Sequence, residues 1–197
     1  MSTAPSVTAA AAALLIRPIS PSDKQALLDG FERLSDESRY RRFLSPHGRL
    51  TQAELRYFTE IDHHDHEALV AIDPSTGQGV GVARYVRSKD NPASAELAIA
   101  VVDDWQRLGV GTRLATELAV RAREEGISTF TGFVLAENEL MLSLARELGE
   151  IRAVHQEHGT VELTVQLPEQ SPDTFVRRLL RAVATGALKA VPVHLTD

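Results

Sequence analysis

The segment whose spacing carries the most chemistry is Val101-Val-Asp-Asp-Trp-Gln106-Arg-Leu-Gly109-Val-Gly111-Thr112-Arg113. An apolar run enters it, two glycines stand one residue apart, and an amphipathic pattern leaves it. Glycines at such a junction let the backbone approach a ligand and present several N–H groups together. A helix starting there adds its partial positive charge, so the arrangement suits a diphosphate. Arg107 and Arg113 supply local positive charge in a chain of formal net charge −6. The same junction also reads as a plain tight turn. It is not the dinucleotide fingerprint, which needs a third glycine, nor a P-loop, which needs Gly-Lys-Ser/Thr.

Two other clusters invite chemistry. Asp62-His63-His64-Asp65-His66-Glu67 could converge on zinc or a similar ion if extended. It falls in a loop before a strand, with no distant cluster to close a site, so the reading is a solvated loop without metal. Its acids would attract a basic side chain. Arg39, Arg41 and Arg42 read as the solvated face of a helix, the alternative being a clamp for an acidic partner or a phosphate. No Gly-x-Ser-x-Gly nucleophile elbow is present.

These residues need a scaffold. A chain of 197 residues, 43% apolar and 24% charged, makes one packed domain. The absence of cysteine excludes a disulfide scaffold, a thiolate zinc site and a cysteine nucleophile, and fits a reducing cytoplasm. The acidic balance argues against a broad nucleic-acid surface. The apolar stretch at residues 9–16 is too short to span a bilayer and has no basic residue ahead of it.

Residues 1–13 read as a flexible tail. Residues 14–18 form a first strand, and Ser20-Pro21 starts a helix bearing Leu27, Phe31 and Leu34. A second helix begins near Ser35, and Thr51-Gln-Ala-Glu54 is a capping box opening a third. Residues 68–72 and 79–87 pair as a hairpin, and residues 96–102 form a strand apolar on both faces, hence central and covered. A helix over residues 112–125 carries Leu114, Ala115, Leu118, Ala119 and Ala122 on one stripe. A strand at 130–135, a helix at 138–148, and strands at 151–156 and 161–167 complete the domain of residues 14–167. The order predicts an α/β (α+β) fold with a mixed, mostly antiparallel central sheet flanked by helices. Residues 168–197 form an extension whose basic amphipathic helix from Thr174 packs on the domain or on a second copy as a homodimer, not on a membrane.

Gln106-x-x-Gly109-x-Gly111 resembles the Gln/Arg-x-x-Gly-x-Gly/Ala signature for acyl-CoA in the GNAT N-acetyltransferase superfamily, and it stands between the central strand and the next helix as there. Asn138 at the start of the later helix, with Gly149 beyond it, is a second similarity. Arg41-Arg42-Phe43, Glu67-Ala-Leu-Val-Ala71, Gly81-Val-Ala-Arg84, Ala95-Glu96-Leu-Ala98, Asp103-Asp-Trp-Gln106 and Val134-Leu-Ala-Glu-Asn138 are similar to bacterial protein lysine acetyltransferases of the Pat type. Those enzymes often carry a further regulatory or synthetase-like domain, for which this length leaves no room.

The resemblance implies an N-acetyltransferase that moves an acetyl group from acetyl-CoA to a primary amine, with a protein lysine favoured as acceptor. A small amine such as an antibiotic or polyamine is the alternative, as is a non-catalytic acyl-CoA sensor. Ile99, Ala100 and Val101 would bind the pantetheine arm. The backbone of Gln106, Arg107, Leu108, Gly109, Val110, Gly111 and Thr112 would take the diphosphate. Asn138 would touch the arm, or serve only as a helix N-cap. A lysine-like amine, with an ordinary pKa of about 10.4, is rarely neutral at pH 7, so a base is useful. By position that base is Glu96, the other reading being a solvated or ion-paired glutamate. The tyrosine that many members place seven residues after the asparagine is Ala145 here, and Glu150 replaces the usual aromatic after the glycine.

Overall fold

The computed structural model describes residues 13–157 and 159–169, so the helix expected from Thr174 and nearly all of the N-terminal tail lie outside the described residues. Among the described residues seven strands form one sheet in the order β1-β2-β3-β4-β5-β7-β6. They are β1 (Leu15–Pro18), β2 (His66–Ile72), β3 (Gly79–Arg87), β4 (Ser94–Val101), β5 (Thr129–Leu135), β6 (Glu150–Glu157) and β7 (Thr160–Gln166). Every neighbouring pair is antiparallel except β4 and β5. The helices are α1 (Lys24–Glu32), α2 (Asp36–Phe43), α3 (Gln52–Thr59), α4 (Val110–Glu124) and α5 (Glu139–Leu148). The expected mixed, mostly antiparallel sheet flanked by helices is what forms.

Local chemistry starts the helices where the sequence marks them. The Ser35 hydroxyl accepts from the Ser38 N–H at 3.2 Å. At α3 the Thr51 hydroxyl accepts from the Glu54 N–H at 3.2 Å, while Glu54 accepts from the Thr51 N–H at 2.7 Å. Each cap satisfies an N–H that the first turn leaves without a carbonyl partner, and at α3 the bond is reciprocated.

Strand register then divides the side chains between two faces. Ala83 lies opposite both Leu69 and Ile99, and Tyr85 opposite Glu67 and Leu97. That face meets α4, whose Leu114, Ala115, Leu118, Ala119 and Ala122 are all buried. Burying each leucine contributes roughly 1.5–3 kcal/mol. On the other face, Arg84 lies opposite Ala68 and Ala98, and Val86 opposite His66 and Glu96. There α1 to α3 form the cover.

Strand β4 departs from expectation in one respect. It is central, yet residues 97–101 are only partly buried. The cause is its neighbour: β4 pairs with β5 only through Ser94–Thr129, Ala95–Phe130 and Glu96–Thr131. Beyond those pairs the two strands part. A Cβ on Gly132 would already come within 3.3 Å of the Leu97 carbonyl, so the divergence begins from close backbone contact.

Candidate functional site

The parting of β4 and β5 opens a cleft of about 380 Å³. Glu96, Ile99, Ala100 and Val101 line it along β4, and Gly132 and Phe133 along β5. Gln106, Arg107, Gly109, Gly111 and Thr112 close one end, and Asn138 and Ala145 come from the side of α5. Leu108 and Val110 turn their side chains into the core instead, so only their backbone can serve a ligand.

The loop at the mouth of the cleft is held from within. The Gln106 side-chain amide donates to the Val101 carbonyl at 3.0 Å, the Ser38 hydroxyl at 3.0 Å and Asp103 Oδ1 at 3.2 Å. Its backbone N–H is occupied too, by the Asp103 carbonyl at 3.1 Å. After Gln106 the donors run free: the amides of residues 107–112 meet no acceptor among the described residues. Gly109 holds φ at 81° and Arg107 at 59°, both left-handed. Successive free N–H groups at the N-terminus of the 15-residue helix α4 make a concave donor surface with positive potential. An oxyanion with several oxygens is its natural complement.

Asn138 caps α5 and also lines the cleft. It is 7% exposed, and its Oδ1 accepts from the Met141 N–H at 3.3 Å, capping α5. Its Nδ2 bonds to no described group, and the residue faces the cleft. Ala145, 6% exposed, leaves that wall of the cleft apolar. Glu150 lies at the start of β6 and pairs with Arg152 at 2.8 Å, away from the cleft lining.

Glu96 is exposed and reaches the cleft from the face of the sheet covered by α1 to α3. The expectation of a solvated arginine face on α2 is corrected. Arg41 pairs with Glu37 at 2.5 Å but also lines the cleft, with its Nε buried. Arg39 instead lies over the Phe31 ring at 4.6 Å and donates to the Phe31 carbonyl at 3.3 Å. Arg42 turns into the cleft, where burial lowers its pKa and the Glu96 carboxylate works in the opposite direction. Phe43, stacked on His47 at 4.1 Å, packs the end of α2 downward and carries its neighbour with it.

Arg84, which sequence reasoning passed over as part of a motif, lies beneath this group. It is 5% exposed and its pKa falls to about 9, chiefly through burial and then through repulsion from Arg42. An arginine alternating with Val82 and Val86 on a strand was the available signal. The histidine run forms no metal group among the described residues. It dissolves into separate contacts: His63 with Glu67 at 2.8 Å, His64 with Glu125, and His66 with Arg84 at 3.1 Å.

The chain is similar to known proteins in sequence and in fold. A family model described as the acetyltransferase (GNAT) domain matches residues 13–150. Acetyltransferase Pat of Mycolicibacterium smegmatis is 32% identical over 176 residues, which make up 89% of this chain and 52% of that protein. The chain therefore spans about half the length of that relative. The crystal structure of the GNAT domain of S. lividans PAT is similar with a TM-score of 0.71 at 31% identity, over 78% of this chain and 90% of that one. The structure of yncA from Salmonella typhimurium with its cofactor acetyl-CoA has a TM-score of 0.64 at 19% identity, over 81% and 96% of the two chains, a likeness of fold.

Proposed function

Because the chain belongs to the GNAT acetyltransferase family, we propose that it moves an acetyl group from acetyl-CoA to a primary amine, with a protein lysine side chain as acceptor. The observation that carries this reading is the row of unpartnered amides at residues 107–112, set where β4 and β5 part. A diphosphate on those amides would direct the pantetheine arm into the cleft, along residues 99–101. Asn138 Nδ2 would then meet the arm. Residues 14–167 would form the catalytic domain, with 1–13 and 168–197 as extensions. None of the described helices is long and apolar enough to cross a membrane, and we place the reaction in the cytoplasm.

In the reaction the amine nitrogen attacks the thioester carbonyl carbon, the N–C bond forms, and the C–S bond breaks with its electron pair leaving on sulfur. Backbone N–H groups of β4 would stabilise the oxyanion. Glu96, directly or through water, would take the proton from the amine. The leaving thiolate needs little help, since a thiol of ordinary pKa, about 8.5, departs without a strong donor. That accommodates Ala145 in place of an acid.

Ala145 also favours a second reading, a sensor that binds acyl-CoA without transfer. A polyamine acceptor fits less well, because two arginines rather than several acids flank Glu96. Incubating the protein with acetyl-CoA and a panel of proteins and amines, while following free thiol and lysine acetylation by mass spectrometry, separates these. Acceptor-dependent thiol release on protein lysines supports the proposal. Calorimetric binding of acetyl-CoA without any thiol release would replace it with the sensor.

A further inference from the structure

Under α1 to α3 a second cavity of about 140 Å³ adjoins the cleft, and Leu34, Arg42, Phe43 and Ala100 line both. Its walls are largely apolar, so each charge in it needs an account. Arg17 and Asp23 neutralise each other through two hydrogen bonds of 2.6 and 2.7 Å. Among the described residues Arg42 and Arg84 have no such partner. Arg84 there reaches neutral groups, the His66 Nε2 at 3.1 Å and the Phe58 carbonyl at 3.4 Å, and lies 4.3 Å over the Phe58 ring. Arg42 stands 5.0 Å from the centre of its neighbour Phe43's ring and makes no hydrogen bond to a described residue.

Two desolvated guanidinium groups close enough to repel one another are costly. Glu96 offsets one positive charge at most. The remaining positive charge faces a space beside the reaction centre, and the small side chains of Ala98 and Ala100 on the same face of β4 leave that space open. A guanidinium offers paired donors in the geometry a carboxylate accepts.

Resting on the transferase reading above, we propose that Arg42 and Arg84 form a carboxylate pocket beside Glu96. The carboxylate is carried by one of the two substrates: the tail of a dicarboxylic acyl donor, or an acidic group on the amine acceptor. It is a spectator in the reaction. The amine still forms the N–C bond, the C–S bond still breaks, and CoA leaves as the thiolate.

Two arms of one experiment on the full chain test this. In the first, acetyl-, butyryl- and succinyl-CoA are compared with one uncharged-ended amine. In the second, acetyl-CoA is fixed and Nα-acetyl-lysine is compared with its methylamide. The expected result is a preference of roughly tenfold or more in kcat/KM for the carboxylated member in one arm, the size of a charge-assisted contact. Arg84→Gln and Arg42→Gln should each bring that ratio toward one. Circular dichroism checks that the variants fold, and the wild-type ratio stands without them. Equal kcat/KM in both arms, or a ratio that survives both folded variants, overturns the pocket and leaves the transferase intact. Absence of acetyl-CoA binding by calorimetry would instead remove the transferase reading, and the pocket with it.

Discussion

The side-chain amide of Gln106 donates to the carbonyl of Val101 at 3.0 Å, tying the loop that follows β4 back to the strand's last residue. The same nitrogen reaches the Ser38 hydroxyl at 3.0 Å, so α2 joins the knot. Gln106 therefore shapes the donor surface without spending its own backbone N–H on a ligand. Removing the two hydrogen bonds to neutral acceptors costs about 1–2 kcal/mol of loop order. Gln106→Ala should raise the KM for acetyl-CoA roughly tenfold and change kcat little. Steady-state kinetics with varied acetyl-CoA checks this, and a loss confined to kcat would contradict it.

The left-handed backbone at Gly109, φ 81°, predicts a graded response to side chains there. An alanine takes on the left-handed penalty of about 1–2 kcal/mol. An aspartate adds a negative charge among amides that would face phosphate oxygens. Gly109→Ala should weaken acetyl-CoA binding up to about tenfold, and Gly109→Asp by at least ~100-fold. Calorimetry on the two variants gives the order. Equal affinities for both would mean that the loop holds no anion.

Glu96→Gln keeps the size of the side chain and removes the base. General-base catalysis contributes about 10²–10⁴-fold, so kcat should fall by that order while the Kd for acetyl-CoA holds. Wild-type rates across pH would remove Glu96 from the chemistry.

How much of this was visible in the residue order follows from how local each feature is. Thr51 and Glu54 stand three apart and fold their capping box within one turn, so spacing alone reveals it. Gly109 and Gly111 mark their loop for the same reason. The parting of β4 from β5 is different, because it depends on where a partner some thirty residues away stops pairing. Nothing in residues 96–102 alone distinguishes a strand covered on both faces from one that lines a cleft. Arg42 escaped for a related reason. Its helix reads Arg-Tyr-Arg-Arg, a solvated pattern, and only the packing of Phe43 against Phe31 and His47 turns Arg42 inward.

His66 gives the fold a dependence on pH. Burial lowers its pKa to about 4, and the charge on Arg84 adds to that effect. In the unfolded chain an ordinary histidine takes up its proton near pH 6.5. Between those values the unfolded state binds more protons than the folded one, so stability falls as pH drops from about 6.5 toward 4. The loss should be only part of what the full shift implies, since the ring is half-buried and water screens it. Thermal melts at pH 7.5, 6, 5 and 4.5 should show a declining Tm, and His66→Asn should flatten the decline over that window. An identical slope in the variant would assign the effect to other groups.

Glu67 supplies the sharpest stability test, because its side chain is fully buried and yet charged. Arg121 from α4 pairs with it, the Ala68 N–H donates to its Oε1 at 2.9 Å, and His63 approaches at 2.8 Å. The pair fastens α4, the helix whose first turn carries the free amides, to β2. A buried ion pair adds little net stability when compared with an apolar pair, but losing one partner leaves a naked charge and costs about 3–5 kcal/mol. Arg121→Ala should therefore lower Tm by roughly 6–20 °C for a domain of this size. Arg121→Met combined with Glu67→Leu should recover most of that, since no charge is then stranded. If the single variant melts within about 2 °C of wild type, the carboxylate finds another partner or a proton, and the link between α4 and β2 rests on apolar packing alone.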